Sequence, residues 1–409
     1  MDLITILNRC HHFRGFVYHH ARFTPDHKSI EISVRPRQGS ASHCSRCHQP
    51  APGYDQLTGR RFEFIPFWGF FVFFLYTMRR VDSRRCHAIV VEEVPWGDGK
   101  RTLTKVYMLF LARWARHLSW KETALAFHTS WDKVFDAVEH VVTWGLEHRS
   151  LGQIDAIGVD EIQYAKGHKY LTLVYQIDLG VTRLLWVGKE RTIESFQGFF
   201  TAMGKEVIAN ICFVCSYMWE PYLKLIRENC SEALHILDRF HIVANMNKAL
   251  DQVRAEETGR MKREGRAPVL KKSRWLLLRH SENLGAEQHF RLRDLLRYNL
   301  KTVRAYLLKE AFQQLWDYNS PAWAGKFLDE CRQTMRSRIE PMKKIARSLR
   351  NHRELILNYF RAQKLLSSGV VEGLNNKAKV TMRKSYGFRT YRALELALYH
   401  TLASCQNRN

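Results

Sequence analysis

The spacing of hydrophobic positions changes several times along the chain, and the changes divide it. Over residues 1–95, apolar runs alternate with turn residues and cysteines, which predicts short strands and turns. The longest run, residues 62–78, is interrupted by Pro66 and Gly69 and has arginine pairs at both ends. It is shorter than the ~20 residues of a membrane-spanning helix, so we expect two buried strands turning at Trp68-Gly69 and no membrane span. From residue 102 the spacing is helical, with Leu103, Val106, Tyr107, Phe110, Leu111 and Trp114 on one stripe. Ser119-Trp-Lys-Glu122 is a capping-box pattern opening a short helix to Phe127, and Thr129-Ser-Trp-Asp132 opens a longer one that buries Val134, Val138, Val141 and Val142. A short helix, a tight turn and a longer helix form a helix-turn-helix, whose second helix can enter a major groove. The same pair also occurs as a plain packing element.

From residue 154 the period becomes two. Strands over 154–161, 170–177 and 182–187 with short turns predict an antiparallel meander. A helix over 193–204, a strand over 207–215, a helix over 219–228 and a strand over 233–237 follow, ending in Asp238-Arg-Phe-His241. A meander continued by alternating helix and strand is the RNase H-like order. Residues 242–365 are helical and basic, most of all over 260–279 and 336–353. Residues 369–403 hold one helix carrying Glu372 and a final amphipathic helix from Tyr391. The expected fold is an α/β catalytic core, an RNase H-like mixed sheet with a large helical insertion. Its expected parts are a zinc-ribbon-like domain (1–98), a helix-turn-helix (99–150) and the core (151–405, insertion about 242–365).

Composition then narrows the function. Hydrophobic residues at 45% and aromatics at 12% exclude a disordered chain, whereas 64 Lys+Arg against 40 Asp+Glu leave a net charge of +24. Self-repulsion of that size points to a polyanionic partner rather than a scattered basic surface. Nine cysteines, regular only at Cys44-x-x-Cys47 and Cys212-x-x-Cys215, suggest a reducing compartment rather than a disulfide framework. The chain opens with His11, His12 and Arg14 and has no small-residue cleavage pattern, so no signal peptide is expected.

Two groups of residues could bind metal. Cys44 and Cys47 lie on a turn between His43 and His48, and Cys86-His87 follows the hydrophobic hairpin. Tetrahedral zinc needs four ligands converging from two turns. Ser83 stands where a second CxxC would begin, so Zn2+ is expected at Cys44, Cys47 and Cys86 with His87 or His43 as fourth ligand. Separately, phosphodiester chemistry with two metals needs carboxylates holding hard cations roughly 3.5–4 Å apart. Asp160, in an apolar strand, fits the first acid of such a site; its bland alternative is a salt-bridged strand-end acid. Glu372 precedes Gly-Leu-Asn-Asn-Lys-Ala-Lys, so Asn375, Asn376 and Lys379 share its helical face. The second acid is missing: the intervening strand runs into Tyr217, with Glu220 and Asp238 as the nearest other acids. Lys133 on the second helix of the pair, and Lys377, Lys379, Arg383, Lys384, Arg389 and Arg392 interleaved with Tyr386, Phe388 and Tyr391, are candidate DNA contacts.

Several stretches together resemble the ISL-three family of bacterial insertion-sequence transposases. They are Val-Pro-Trp96, Leu-Ser-Trp-Lys-Glu-Thr-Ala124, Gly-Val-Asp160-Glu-Ile, Tyr170-Leu-Thr-Leu-Val-Tyr-Gln-Ile-Asp178, Leu-Asp238-Arg-Phe-His241, Val-Glu372-Gly-Leu-Asn-Asn and Tyr386-Gly-Phe-Arg389. The resemblance implies cut-and-paste transposition with Mg2+ or Mn2+, on double-stranded DNA (terminal inverted repeats and target). It also implies a homodimer on DNA, in the bacterial cytoplasm at the nucleoid. Its catalytic acids map onto Asp160 and Glu372, its second acid onto Tyr217, and its third zinc cysteine onto Ser83. Asp238-x-x-His241 resembles an accessory motif that organises such sites. A phenol is a poor magnesium ligand, so Tyr217 predicts impaired catalysis in this copy. The alternative is a non-catalytic DNA-binding protein, a decayed or repurposed transposase acting as a regulator. An RNA-binding protein or RNase would share fold and charge but would leave the helix-turn-helix unaccounted for.

Overall fold

The computed structural model describes residues 2–266, 269–330, 336–364, 369–385, 387–403 and 406–407. The chain forms two compact units, Met1–Ser150 with Thr381–Thr401, and Leu151–Val380 with Leu402–Asn409.

The first unit opens with a helix that the turn-rich pattern does not foreshadow, α1 (Leu3–Cys10). The Asp2 carboxylate accepts from the Thr5 amide at 2.8 Å, satisfying one orphan donor, and Leu7 is buried. Strands β1 (Phe16–Phe23), β2 (Ser29–Pro36), β5 (Gly53–Phe67), β6 (Phe70–Ser83) and β7 (Ala88–Val91) form one sheet, ordered β1-β2-β6-β5 with β7 also on β6. A two-stranded ribbon, β3 (Ser42–His43) and β4 (Pro50–Ala51), forms a separate small sheet against β6. The hairpin β5–β6 turns at Trp68-Gly69, where φ is 49° and 86°. Positive φ at both central residues suits a two-residue hairpin. At 15 and 14 residues its strands are longer than the short ones expected, because the alternation of Phe62 and Phe64 with Val72, Phe74, Tyr76 and Met78 builds one continuous buried face. Trp96 closes this core edge-on to Phe62, Phe74 and Tyr76.

Helices α2 (Lys105–His117), α3 (Trp120–Ala126) and α4 (Trp131–Glu147) complete the first unit, with α2 and α4 packed together. The capping box is present: Ser119 Oγ accepts from the Glu122 amide, and Glu122 accepts from the Ser119 amide. The closing helix, Tyr391–Leu402, buries Ala393, Leu394, Leu396, Ala397 and Leu398. It ties to α4 through Arg392 and Glu139, 3.1 Å apart.

In the second unit, β8 (Ala156–Ala165), β9 (Lys169–Asp178) and β10 (Val181–Lys189) form an antiparallel meander. Helices α5 (Ile193–Met203) and α6 (Lys205–Ala209) lead to β11 (Phe213–Ser216), and α7 (Glu220–Asn229) leads to β12 (Leu234–Leu237). The sheet order is β12-β11-β8-β9-β10, with β13 (Gln406–Asn407) at the β10 edge. Both β11 and β12 run parallel to β8, which makes this a mixed α/β sheet. The strand expected over 207–215 is partly helix instead. Gly204, at φ 78°, ends α5 and starts α6, whose Ile208 reaches the core from a helical turn. A short apolar run does not by itself distinguish these two solutions. One face of the sheet buries Ile157, Val159, Val174 and Leu185 against Phe196, Phe199, Tyr222 and Ile226.

The stretch expected as a helical insertion contains α8 (Arg239–Arg263), α9 (Arg274–Leu278), α10 (Ala286–Leu295), α11 (Lys301–Gln313), α12 (Pro321–Glu330), α13 (Glu340–Asn351) and α14 (Arg353–Arg361). Buried polar side chains cap its helix ends. Glu257 accepts from the Lys301 and Thr302 amides at 3.1 and 2.7 Å, at the start of α11. The Lys309 ammonium donates to the Leu277 and Arg279 carbonyls at 3.0 and 3.4 Å, at the end of α9. Helix α15 (Gly369–Lys384) follows. Among the described residues, no helix is long and apolar enough to cross a membrane.

Candidate active site and cysteine cluster

The register of the parallel strands fixes what stands beside Asp160. Cys215 pairs with Gly158, and Ser216 pairs with Leu237. Continued by one or two residues, the same register sets Tyr217 beside Asp160 and Asp238 beside Tyr217, one strand spacing of ~4.8 Å each. By this register Asp160 on β8 is level with Tyr217 and Asp238, the residues just past the ends of β11 and β12.

His241, in the first turn of α8, lies against these residues. Its Nε2 is 3.4 Å from Asp160 Oδ1 and 3.6 Å from Asp238 Oδ2, and its ring centroid is 4.6 Å from that of Tyr217. Burial works against the charged imidazolium, but the hydrogen bond to Asp160 and the charges of Asp160, Asp238 and Glu161 outweigh it, so the pKa is raised. Asp238 also caps α8, with Oδ1 accepting from the Phe240 amide at 2.7 Å. Its carboxylate is thus partly committed to holding the helix that carries His241.

The alternation of a strand puts Asp160 and Glu161 on opposite faces. Glu161 lies with Arg191, 3.1 Å away, and burial pushes its carboxyl up to about 7 against the pull of that guanidinium. Arg191 also lies over the Trp219 and Tyr217 rings at 4.6 and 5.6 Å. Tyr217 is therefore packed between His241 and Arg191 and does not point freely into solvent.

Helix α15 docks on the face of β8 that carries Asp160. A Cβ on Gly158 would meet Val371 Cγ2 at 2.4 Å, so only glycine permits this approach. One turn on from Val371, Asn375 donates Nδ2 to Asp160 Oδ2 at 2.5 Å, and its Oδ1 accepts from the Tyr175 hydroxyl at 2.9 Å. Glu372 is exposed on the same helix, one turn before Asn375 and so roughly 4.5 Å along its axis. Tyr175 is a residue of the candidate site that sequence reasoning missed. It sits in an apolar strand pattern, and only the register of β8 against β9 brings its hydroxyl to Asn375.

The seven candidate DNA-contact cations differ in their surroundings. Lys133 is paired with Glu63, Lys384 donates to the Arg116 carbonyl at 2.8 Å, and Arg392 binds Glu139 and Glu395. Lys377, Lys379, Arg383 and Arg389 are exposed. Phe388 packs on Trp120 at 5.5 Å, a core contact; Tyr386 lies outside the described residues.

In the first unit, Cys44, Cys47 and Cys86 converge. Their sulfurs lie within 4.8 Å of one another, and they form the only such group of three or more Cys, His, Asp or Glu side chains among the described residues. The buried Ser83 joins them, its Oγ 3.6 Å from Cys47 Sγ and accepting from the Cys86 amide at 3.3 Å. Hydrogen bonds from Ser83 and from the Cys47 and Arg46 amides hold the Cys44 thiol below its usual range. His87 is exposed and outside the group. Three soft ligands and a hydroxyl are compatible with zinc. Cys212 is exposed and Cys215 buried, so that pair does not converge.

The chain is 27% identical over 365 residues to the transposase for insertion sequence element IS1001 of Bordetella parapertussis, covering 88% of this chain and 89% of the relative. It is 27% identical over 406 residues to the transposase for insertion sequence element IS1557 of Mycobacterium tuberculosis, covering 92% and 89%. The ISL3 transposase family profile matches residues 157–398, a span that contains Asp160, Tyr217, Asp238, His241, Glu372 and Asn375. That match extends over more than half of the sequence, and the chain belongs to the ISL3 family of insertion-sequence transposases.

Proposed function

We propose that the chain is a DNA transposase that binds terminal inverted repeats and acts on phosphodiester bonds with Mg2+ or Mn2+ in an RNase H-like core, and that position 217 impairs its chemistry. The observation carrying this reading is the Asn375–Asp160 hydrogen bond, which ties the helix bearing Glu372 to the strand bearing Asp160. The meander continued by two parallel strands beyond β8 supports the RNase H-like assignment. Helices α3 and α4 are the proposed helix-turn-helix, and a homodimer would bring two ends together.

By donor chemistry, two carboxylates suit one hard cation and fall a carboxylate short of two. Asp160 and Glu372 would hold that cation, which when bound draws charge from a phosphoryl oxygen. Tyr217 offers a phenol, a poor ligand for magnesium, and Asp238 has one oxygen engaged at the start of α8. The chain's own residues do the positioning: Tyr175 orients the Asn375 amide, Asn375 fixes the Asp160 rotamer, and His241 balances the charge of Asp160 and Asp238. The same tyrosine favours a second reading, a DNA-binding regulator that recognises the ends without cutting them.

An end-cleavage assay on a duplex carrying the terminal repeats of its own element tests both. With magnesium, the wild type is expected to cut weakly and Tyr217→Asp at least about tenfold faster, with Asp160→Asn abolishing the gain. Equal cutting by wild type and Tyr217→Asp would overturn the role given to position 217. Tight repeat binding with no cutting by either protein would support the regulator.

A further inference from the structure

A β-bulge in the first unit puts two histidines side by side. Tyr18 pairs with Val34 and Ala21 with Ile32, so His19 and His20 of β1 together oppose the single Ser33 of β2. In a regular strand consecutive side chains point to opposite faces, and these two rings would lie apart. Here their Nδ1 atoms are 2.9 Å from one another, with the ring centroids 5.2 Å apart and the planes at 81°. Both residues are exposed, and His20 Nε2 lies 3.4 Å from Ser33 Oγ. In the tautomer that carries its proton on Nε2, His20 donates to that hydroxyl and presents Nδ1 to His19 as a bare lone pair. Strand β1 is an edge strand, and a bulge by itself blunts such an edge. Blunting needs no particular side chain, however, and does not account for two imidazoles meeting nitrogen to nitrogen.

We propose that His19 and His20 chelate a divalent transition-metal ion of the Ni2+ or Cu2+ class through their two Nδ1 atoms, with water at the remaining positions. With metal–nitrogen bonds of about 2.0–2.1 Å, the 2.9 Å separation subtends roughly 90° at the ion. That is the angle between neighbouring ligands in square-planar and octahedral coordination, which these ions adopt. Tetrahedral zinc would need the nitrogens about 3.3 Å apart. Imidazole nitrogen also excludes magnesium and calcium, which take oxygen ligands. Binding leaves the charge of the two side chains unchanged: the proton shared between the Nδ1 atoms moves to the exposed Nε2 of His19 as the ion takes its place. Ser33 orients His20 from the far side of its ring, as outer hydrogen bonds do for metal-ligating histidines. Arg22, the next cation along β1, is paired with Glu31 at 3.0 Å, which tempers its repulsion of an incoming ion. The pair shares no residue with the cysteine cluster or with Asp160 and Glu372, so an ion at either of those places leaves it open.

The test is histidine modification by diethyl pyrocarbonate on the full-length protein, titrated with NiCl2 and read residue by residue in a mass spectrometer. That readout separates this pair from every other place where nickel binds. His19 and His20 are expected to become protected together, at Ni2+ concentrations that leave the exposed His27 reactive. His19→Gln should raise the Ni2+ needed to protect His20 at least about tenfold, and His20→Gln should do the same for His19. Ser33→Ala, which removes only the orienting hydroxyl, should raise it about tenfold for both. Because His19 and His20 are exposed, their substitution does not threaten the fold. Protection of His19 and His20 no better than that of His27 would overturn the proposal and leave the pair as a hydrogen bond between two rings. Unchanged protection of His20 in His19→Gln would overturn it equally. Protection by ZnCl2 at lower concentrations than by NiCl2 would overturn the geometry assigned to the ion.

Discussion

Asn375 and Asp160, 215 positions apart in sequence, share a 2.5 Å hydrogen bond, and the Tyr175 hydroxyl fixes the amide from its other side at 2.9 Å. Asn375→Ala would take the donor from Asp160 Oδ2 and the acceptor from the buried Tyr175 hydroxyl, at a cost of about 1–3 kcal/mol. Urea unfolding should register that loss, and Tyr175→Phe should cost less because Asp160 keeps its donor. If Asn375→Ala unfolds at the wild-type urea midpoint, the contact does not fasten α15 to the sheet.

The approach of α15 to β8 gives a second prediction. Gly158→Ala would drive a methyl into Val371 Cγ2, and overpacking of this kind costs roughly 1–3 kcal/mol. Adding Val371→Ala should recover part of the loss, so the double variant should be more stable than the sum of the single effects. Strict additivity in a double-mutant cycle would show that the two residues do not meet.

The predicted pH dependence centres on His235. Burial, with help from the charges of Arg227 and His352, lowers its pKa to about 4, and its Nε2 lies 2.7 Å from Ser216 Oγ. The folded value lies below the ordinary one of about 6.5, so the unfolded chain binds the proton more readily. The stabilisation is complete above about pH 6.5 and declines as pH falls toward about 4. From about pH 7 to about pH 5 the loss from this group should be on the order of 2 kcal/mol, and His235→Gln should remove it. An unaltered slope of stability against pH in His235→Gln would rule this source out.

The cysteine cluster predicts zinc in the purified full-length protein, bound by Cys44, Cys47 and Cys86. Ser83 occupies the fourth side, so Ser83→Cys should tighten zinc at least about tenfold in competition with a chromogenic chelator. Unchanged affinity would mean that the fourth ligand comes from elsewhere.

How much of this was legible beforehand depended on whether the signal was local. The Trp68-Gly69 turn, the Ser119 capping box and the three-stranded meander each follow from neighbouring residues, and all appear in the structure. Helix α1 escaped notice because it is short, only eight residues, and α6 because Val207-Ile208 reads equally well as a strand. At the site, Asp160 and Glu372 stood out as acids in unusual settings. The contribution of Tyr175 is a matter of register, which no window of sequence contains. Ser83 was visible as a gap in a cysteine pattern, but its place as fourth member of the cluster emerges only when β6 closes against the Cys44 turn.

Lys309 shows a different solution to the need for positive charge. Its ammonium, wholly buried, ties together the Leu277 and Arg279 carbonyls and the Glu310 carboxylate, much as a coordinated ion would. This cation is covalently part of the chain, so no chelator can strip it and no shortage of metal in the cell can empty its place. Metal starvation should therefore loosen the cysteine cluster while leaving the insertion intact, so the two parts of one chain answer differently to the same stress.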